Sequence, residues 1–165
     1  SSCVIASIFL LFLFLLSLVL YFTLVKPRDP TLAVNAVNLP SFSLLNSSAV
    51  TFTLSQYLAL HNPNRLALFT HYDTSLRLLT AGAQQQLGLL IVPAAQIGPG
   101  RTQYMAATFS AVKADRELHL LELETRLEMA GHLHLLRVFT HRVEVWAYCR
   151  VLVSATDGSV LSFHC

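Results

Sequence analysis

Seven histidines, three cysteines and a run of acids are the residues with most chemistry to offer in this 165-residue chain. His132 and His134 stand two apart, so on a strand they share one face and form the best local pair of metal ligands. A zinc site needs three or four donors converging tetrahedrally, and the spacing indicates no third. They read as polar side chains of an amphipathic strand, and no metal site is expected. Glu122, Glu124 and Glu128 have the functional group for general acid/base work, but with Arg126 among them they read as a solvated charged face. The chain holds no Gly-rich phosphate cradle, no G-x-S-x-G elbow, no H-E-x-x-H and no C-x-x-C. No catalytic residue and no cofactor are therefore expected. An enzyme would need His132, His134 and a carboxylate to meet in one pocket.

Two covalent marks are better supported. Cys149 and Cys165 flank Asp157-Gly158 at eight positions before the Asp and seven after the Gly. A hairpin register could set them side by side, closing a loop of about 17 residues worth ~3 kcal/mol in the chain-entropy model. That requires an oxidising compartment; two free thiols are the alternative. Asn46-Ser47-Ser48 is an N-glycosylation acceptor triplet in a polar stretch. Cys3, at the edge of an apolar run, is a candidate for lipidation.

The elements carrying these residues divide unevenly. Apolar residues make up 54% of the chain and charged ones 12%, so a disordered chain is excluded. A net charge of +2 gives no reason to expect nucleic acid as a partner. From Cys3 to Val25 there is no charge, Pro, Gly, Asn or Gln. As a helix that run would span roughly 34 Å, enough for a hydrocarbon core of ~30 Å. Tyr21 and Phe22 suit the interface, and Lys26 to Pro30 stop the span. A cleaved signal peptide has a shorter apolar core and a small-residue cleavage site, so the expectation is an uncleaved signal-anchor embedded in the lipid bilayer. Residues 1–28 would be anchor and stop-transfer, and residues 29–165 a single domain. Lys26 and Arg28 favour keeping the segment after them in the cytosol, but Ser1 is not a Met. A preceding piece is expected, and any basic tail there would outvote them.

Residues 31–165 read as strands. Val50, Phe52 and Leu54 alternate with Thr51, Thr53 and Ser55, the period of a half-buried strand. Similar stretches run over 31–39, 66–79, 84–92, 102–112 and 132–147, and two more flank Asp157-Gly158, a hairpin signal. Asp115 to Ala130 is expected to be the one short helix, capped by Asp115 and stopped by Gly131. Seven or so strands with regular turns predict an all-β antiparallel sandwich of the immunoglobulin/fibronectin III kind, preceded by a single transmembrane helix.

Specific residues extend this. The strand ending in His61-Asn62-Pro63-Asn64-Arg65, then Tyr72-Asp73, Gly82 and Gly88, and the stretch Pro93, Gln96, Thr102 resemble the plant late-embryogenesis-abundant type 2 (LEA-2) domain, and in particular the NDR1/HIN1-like membrane proteins. An apolar span before the domain fits the same architecture. The resemblance implies a non-enzymatic single-pass protein of plant stress or defence response. It would sit at the plasma membrane or an endomembrane, with a short cytosolic tail, the domain facing outward and protein partners. Ala94-Ala95 departs from the aromatic loop of such relatives, and no Asn-Gly-Asp motif is present. Asn62, Pro63 and Asn64 also make sense as a tight inter-strand turn, and Tyr72-Asp73 as a packed ring and a turn acceptor. The Leu-rich stretch 118–136 supports an alternative, a module holding a lipid or other hydrophobic ligand between its sheets.

Overall fold

The computed structural model describes residues 2–115, 119–135 and 138–165. Helix α1 (Ser2–Leu20) runs into a π-helical turn over Tyr21–Val25, closed by Lys26 N donating to Tyr21 O at 2.9 Å. Its hydroxyls turn back on the helix: Ser7 donates to Cys3 O, Ser17 to Phe14 O and Thr23 to Val19 O. No side chain of this helix is buried against the rest of the protein. The 24-residue unit Ser2–Val25 is long and apolar enough to cross a membrane, as an anchor or a signal sequence is.

Among the described residues ten strands follow: β1 (Thr31–Leu44), β2 (Ala49–His61), β3 (Ala67–His71), β4 (Thr74–Thr80), β5 (Gln86–Val92), β6 (Ala95–Ile97), β7 (Thr102–Asp115), β8 (Leu120–Leu135), β9 (Phe139–Ser154) and β10 (Val160–His164). They form two antiparallel sheets, one ordered β1-β2-β7 and the other β10-β9-β8-β3-β6, with β4 and β5 joined to β8 through β4. Every pairing is antiparallel. The fold is an all-β sandwich behind one apolar helix.

The period of two explains the core. On β2 the even positions Val50, Phe52, Leu54, Leu58 and Leu60 face inward and are fully buried. On β7 the inward set changes phase, from Ala107 and Phe109 to Val112 and Ala114. A bulge at Ala111, whose φ is +51°, inserts the extra residue. Pro40 lies within β1, at a register irregularity on the sheet edge, where a missing N–H costs no ladder bond. Phe109 rests on Gly88 of β5, where a Cβ would stand 2.9 Å from the ring. Between the sheets, Gln56 Nε2 donates to Thr125 Oγ1 at 2.9 Å.

Two expectations are corrected. The segment expected to be a helix over Asp115–Ala130 is strand: Asp115 ends β7 and Leu120 onward is β8; residues 116–118 lie outside the described residues. Leu121, Leu123, Leu127, Met129 and Leu133 are all odd-numbered, so a strand puts every one of them on the core face. All sixteen residues of β8 pair with β9 along one edge, and along the other Leu123–Leu127 pair with β4 and Gly131–Leu135 with β3. That tertiary pairing outweighs local helix propensity. Gly131 is not a helix stop but a mid-strand position, where a Cβ would meet Thr70 O at 2.5 Å and the Phe69 ring at 2.7 Å.

The second correction concerns the last hairpin. Asp157-Gly158 is not a two-residue turn; the loop runs from Ala155 to Ser159. Ser154 N donates to Ser159 O and Gly158 N to Ser154 O, each at 2.9 Å. Gly158 has φ +74°, and a Cβ there would collide with Phe42 of β1.

Candidate functional site at the helix–sandwich junction

The residues most specifically arranged are those of the Asn62-Pro63-Asn64 turn, between β2 and β3. Asn62 is fully buried. Its Nδ2 donates to Ala67 O at 2.8 Å, Ile97 O at 3.1 Å and Gly98 O at 3.2 Å. Its Oδ1 accepts from Asn64 N at 3.1 Å and Asn64 Nδ2 at 2.9 Å, and its backbone N donates to Arg101 O. One side chain thus ties the start of β3, the end of β6 and the following loop to one another. Pro63 brings no N–H that would need a partner there.

Asn64 faces the other way, toward the segment leaving the helix. Its Oδ1 accepts from Arg28 N at 2.7 Å and its Nδ2 donates to Arg28 O at 2.6 Å. These are the two bonds a neighbouring strand residue would make, so a side chain substitutes for a strand. Only Asp29 and Pro30 separate this clip from β1, and the chain between Val25 and the sandwich is held at both ends. Beside the clip is a cavity of about 340 Å³, lined by Tyr21, Val25 and Pro27 on one side and by Leu133, Leu135 and Phe139 on the other.

Tyr72 and Asp73 lie farther along the same sheet. Tyr72 is exposed; its hydroxyl and His132 Nδ1 share a hydrogen bond of 2.7 Å, with the rings edge to face. His132 and His134 stand on one face, ring centroids 6.2 Å apart, and His134 Nδ1 lies 3.4 Å from Thr140 Oγ1. Tyr72–His132 and His134–Thr140 are thus two separate hydrogen-bonded pairs on neighbouring positions of the strand. Among the described residues, no three of His, Cys, Asp and Glu stand close enough to share a metal ion. Asp73 Oδ1 accepts from Ala94 N at 2.6 Å and fixes the turn between β5 and β6.

The acids also need correcting. They lie on strand β8, not on a helix, and they are not uniformly solvated: Glu124 is buried and paired with Arg126 at 2.5 Å. Glu122 pairs with Arg150 at 3.3 Å across the strands. The Tyr148 hydroxyl, with help from Glu122, holds the Arg150 proton more firmly than usual. In the last hairpin, the hydroxyl of Ser154 and then the hydroxyl and backbone N–H of Ser159 hold the Asp157 carboxyl below the usual carboxylate range.

Cys149 and Cys165 are joined in a disulfide with Cα atoms 4.0 Å apart, and Cys3 is a free, exposed thiol. Asn46 is exposed in the β1–β2 loop, its Oδ1 accepting from Ser48 N and Ser48 Oγ. That loop and a second cavity, about 560 Å³ beside Gly82, Asp115, His119 and Glu122, lie at the end of the sandwich away from the helix. Of the β8 leucines, Leu121, Leu123, Leu127 and Leu133 are buried and Leu120 is exposed, while Leu118 and Leu136 lie outside the described residues.

Sequence reading took Asn62 and Asn64 as turn formers and missed the clip to Arg28, because its partner is 36 residues away and is backbone. It also placed Val138 in a continuous strand, whereas Val138 lies in the turn between β8 and β9. An apolar pair, Val138-Phe139, interrupting the alternation was the available signal.

No protein-family model matches the chain, and no curated protein matches it. Among solved structures it is similar to the crystal structure of a protein assigned as ApaA from Bordetella pertussis, at 11% identity and a TM-score of 0.43, over 80% of this chain and 98% of that one. So remote a likeness carries no argument about this chain's family or activity.

Proposed function

We propose that this chain is a non-enzymatic, single-span membrane protein of the LEA-2, NDR1/HIN1-like kind. It holds its sandwich against the outer or lumenal side of a membrane, the plasma membrane foremost, and acts in plant stress or defence response by binding other proteins. The observation that supports this best is the pair of bonds from Asn64 to Arg28, next to an apolar helix of 24 residues. A domain clipped to the exit of such a helix is held beside the bilayer rather than hanging from a loose tether. The Cys149–Cys165 bridge and the exposed Asn46 fit an outward-facing domain.

The test is topological. After expression of the full chain with a C-terminal tag in plant cells, the protein should stay in the pellet of an alkaline carbonate wash. It should shift in mobility on glycosidase treatment and lose its tag when protease is added to intact protoplasts. A carbonate-soluble polypeptide lacking residues 3–25 overturns the anchor, and a protected tag overturns the orientation.

A further inference from the structure

The connection between β8 and β9 ends in apolar residues where turn chemistry would ordinarily supply Gly, Asn or Asp. Val138 is 75% exposed and Phe139 67% exposed. Val138 N donates to Leu135 O at 3.1 Å. Phe139 lines the same cavity as Tyr21, Val25 and Pro27, which places the tip next to the point where the helix leaves its apolar run. If the helix spans a bilayer, the interface falls at Tyr21 to Lys26, and aromatic rings favour that level. The same end carries a basic rim: Lys26, Arg28, Arg65 and Arg101 are all exposed, with Asp29 among them. Arg65 follows the clip residue Asn64, and Arg101 O is the acceptor for Asn62 N. An apolar tip at the same end as four cations suits anionic lipid.

We propose that this end of the sandwich rests on the membrane its own helix crosses, with Val138 and Phe139 dipping below the headgroups and the four cations meeting anionic headgroups. The tip is then a second membrane contact beside the helix. Together with the Asn64–Arg28 clip it fixes the height and tilt at which the rest of the sandwich is presented. This rests on the anchor reading above, so the experiment separates the two.

The full chain with Cys3→Ser is placed in nanodiscs of phosphatidylcholine and phosphatidylserine, some of the lipid carrying a nitroxide. An environment-sensitive fluorophore is attached through Val138→Cys, Leu10→Cys or Ser47→Cys, in separate samples; the disulfide leaves no other free thiol. With the nitroxide near the headgroup, the Val138 label should be quenched about threefold more than the Ser47 label, at the far end of the sandwich, and its emission should shift to the blue. Adding Phe139→Asp should return the Val138 signal toward the Ser47 level, with unchanged ellipticity. Quenching at Leu10 by a mid-chain nitroxide, together with a Val138 label that behaves like Ser47, overturns this inference and leaves the anchor standing. No quenching at Leu10 overturns both.

Discussion

At the scale of single residues, the buried amides are the most demanding part of the structure. Asn62 donates to three backbone carbonyls and accepts two N–H groups. Asn62→Ala strands those groups in the interior and should cost about 2–3 kcal/mol. Asn62→Asp should cost more, because a carboxylate puts lone pairs against three carbonyl oxygens and leaves a buried charge unpaired. Equilibrium urea unfolding of both variants checks the order; an Asp variant more stable than the Ala variant would refute the assigned bonds. Gln56 and Thr125 allow the opposite test. Gln56 Oε1 finds no partner among the described residues, so the pair is only half satisfied. Thr125→Val alone should destabilise by about 1–2 kcal/mol, whereas Gln56→Met with Thr125→Val should come back close to the parent. Neither amide's role was legible beforehand. The type and spacing of Asn-Pro-Asn announced a turn, but the bonds that matter reach Ala67, Ile97 and Arg28, and no local pattern encodes which distant backbone group a buried amide will meet.

At the scale of elements, legibility followed the period of the pattern. Strand β2 alternates cleanly over Val50 to Ser55 and was readable, whereas β8 carries doubled leucines that fit both a helix and a strand. Its strand state is decided by neighbours β3, β4 and β9, and the parity of Leu121, Leu123, Leu127, Met129 and Leu133 was the clue that outweighed its charges. The bulge at Ala111 and the five-residue hairpin loop have no such clue, since both arise where packing displaces the register. That hairpin yields two predictions. Cys165→Ser opens the loop closed by Cys149 and should lower stability by about 3 kcal/mol in denaturant unfolding. Asp157 has its folded carboxyl below the ordinary range, so the charged form is the one favoured by folding. Its contribution is present above about pH 4 and disappears as pH falls through the lowered folded value. Urea midpoints of the parent and Asp157→Asn should therefore differ at neutral pH and converge as pH falls through that lowered value; a gap that stays constant with pH would rule out the carboxylate bonds as its source.

At the scale of the whole molecule, the question is how a sandwich that buries no side chain of its helix keeps a defined relation to that helix. No helix side chain is fully buried, so the firmest coupling is the backbone of Pro27 to Pro30 and the Asn64 clip. Two hydrogen bonds on one residue constrain both position and direction, as a strand pairing does. Asn64→Ala removes both, while Asn64→Asp keeps the acceptor for Arg28 N and loses the donor to Arg28 O. Spin labels placed by Leu20→Cys and Ser47→Cys in the full chain, with Cys3→Ser, report the helix-to-sandwich distance by dipolar spectroscopy in nanodiscs. The parent should give a narrow distribution, Asn64→Ala a broad one and Asn64→Asp one in between, with global stability lowered by about 1–2 kcal/mol in the Ala variant. If Asn64→Ala keeps the narrow distribution, the clip is not what aligns the domain. The orientation would then rest on the lipid contact of the β8–β9 tip, and Phe139→Asp, rather than Asn64→Ala, should be the substitution that broadens it.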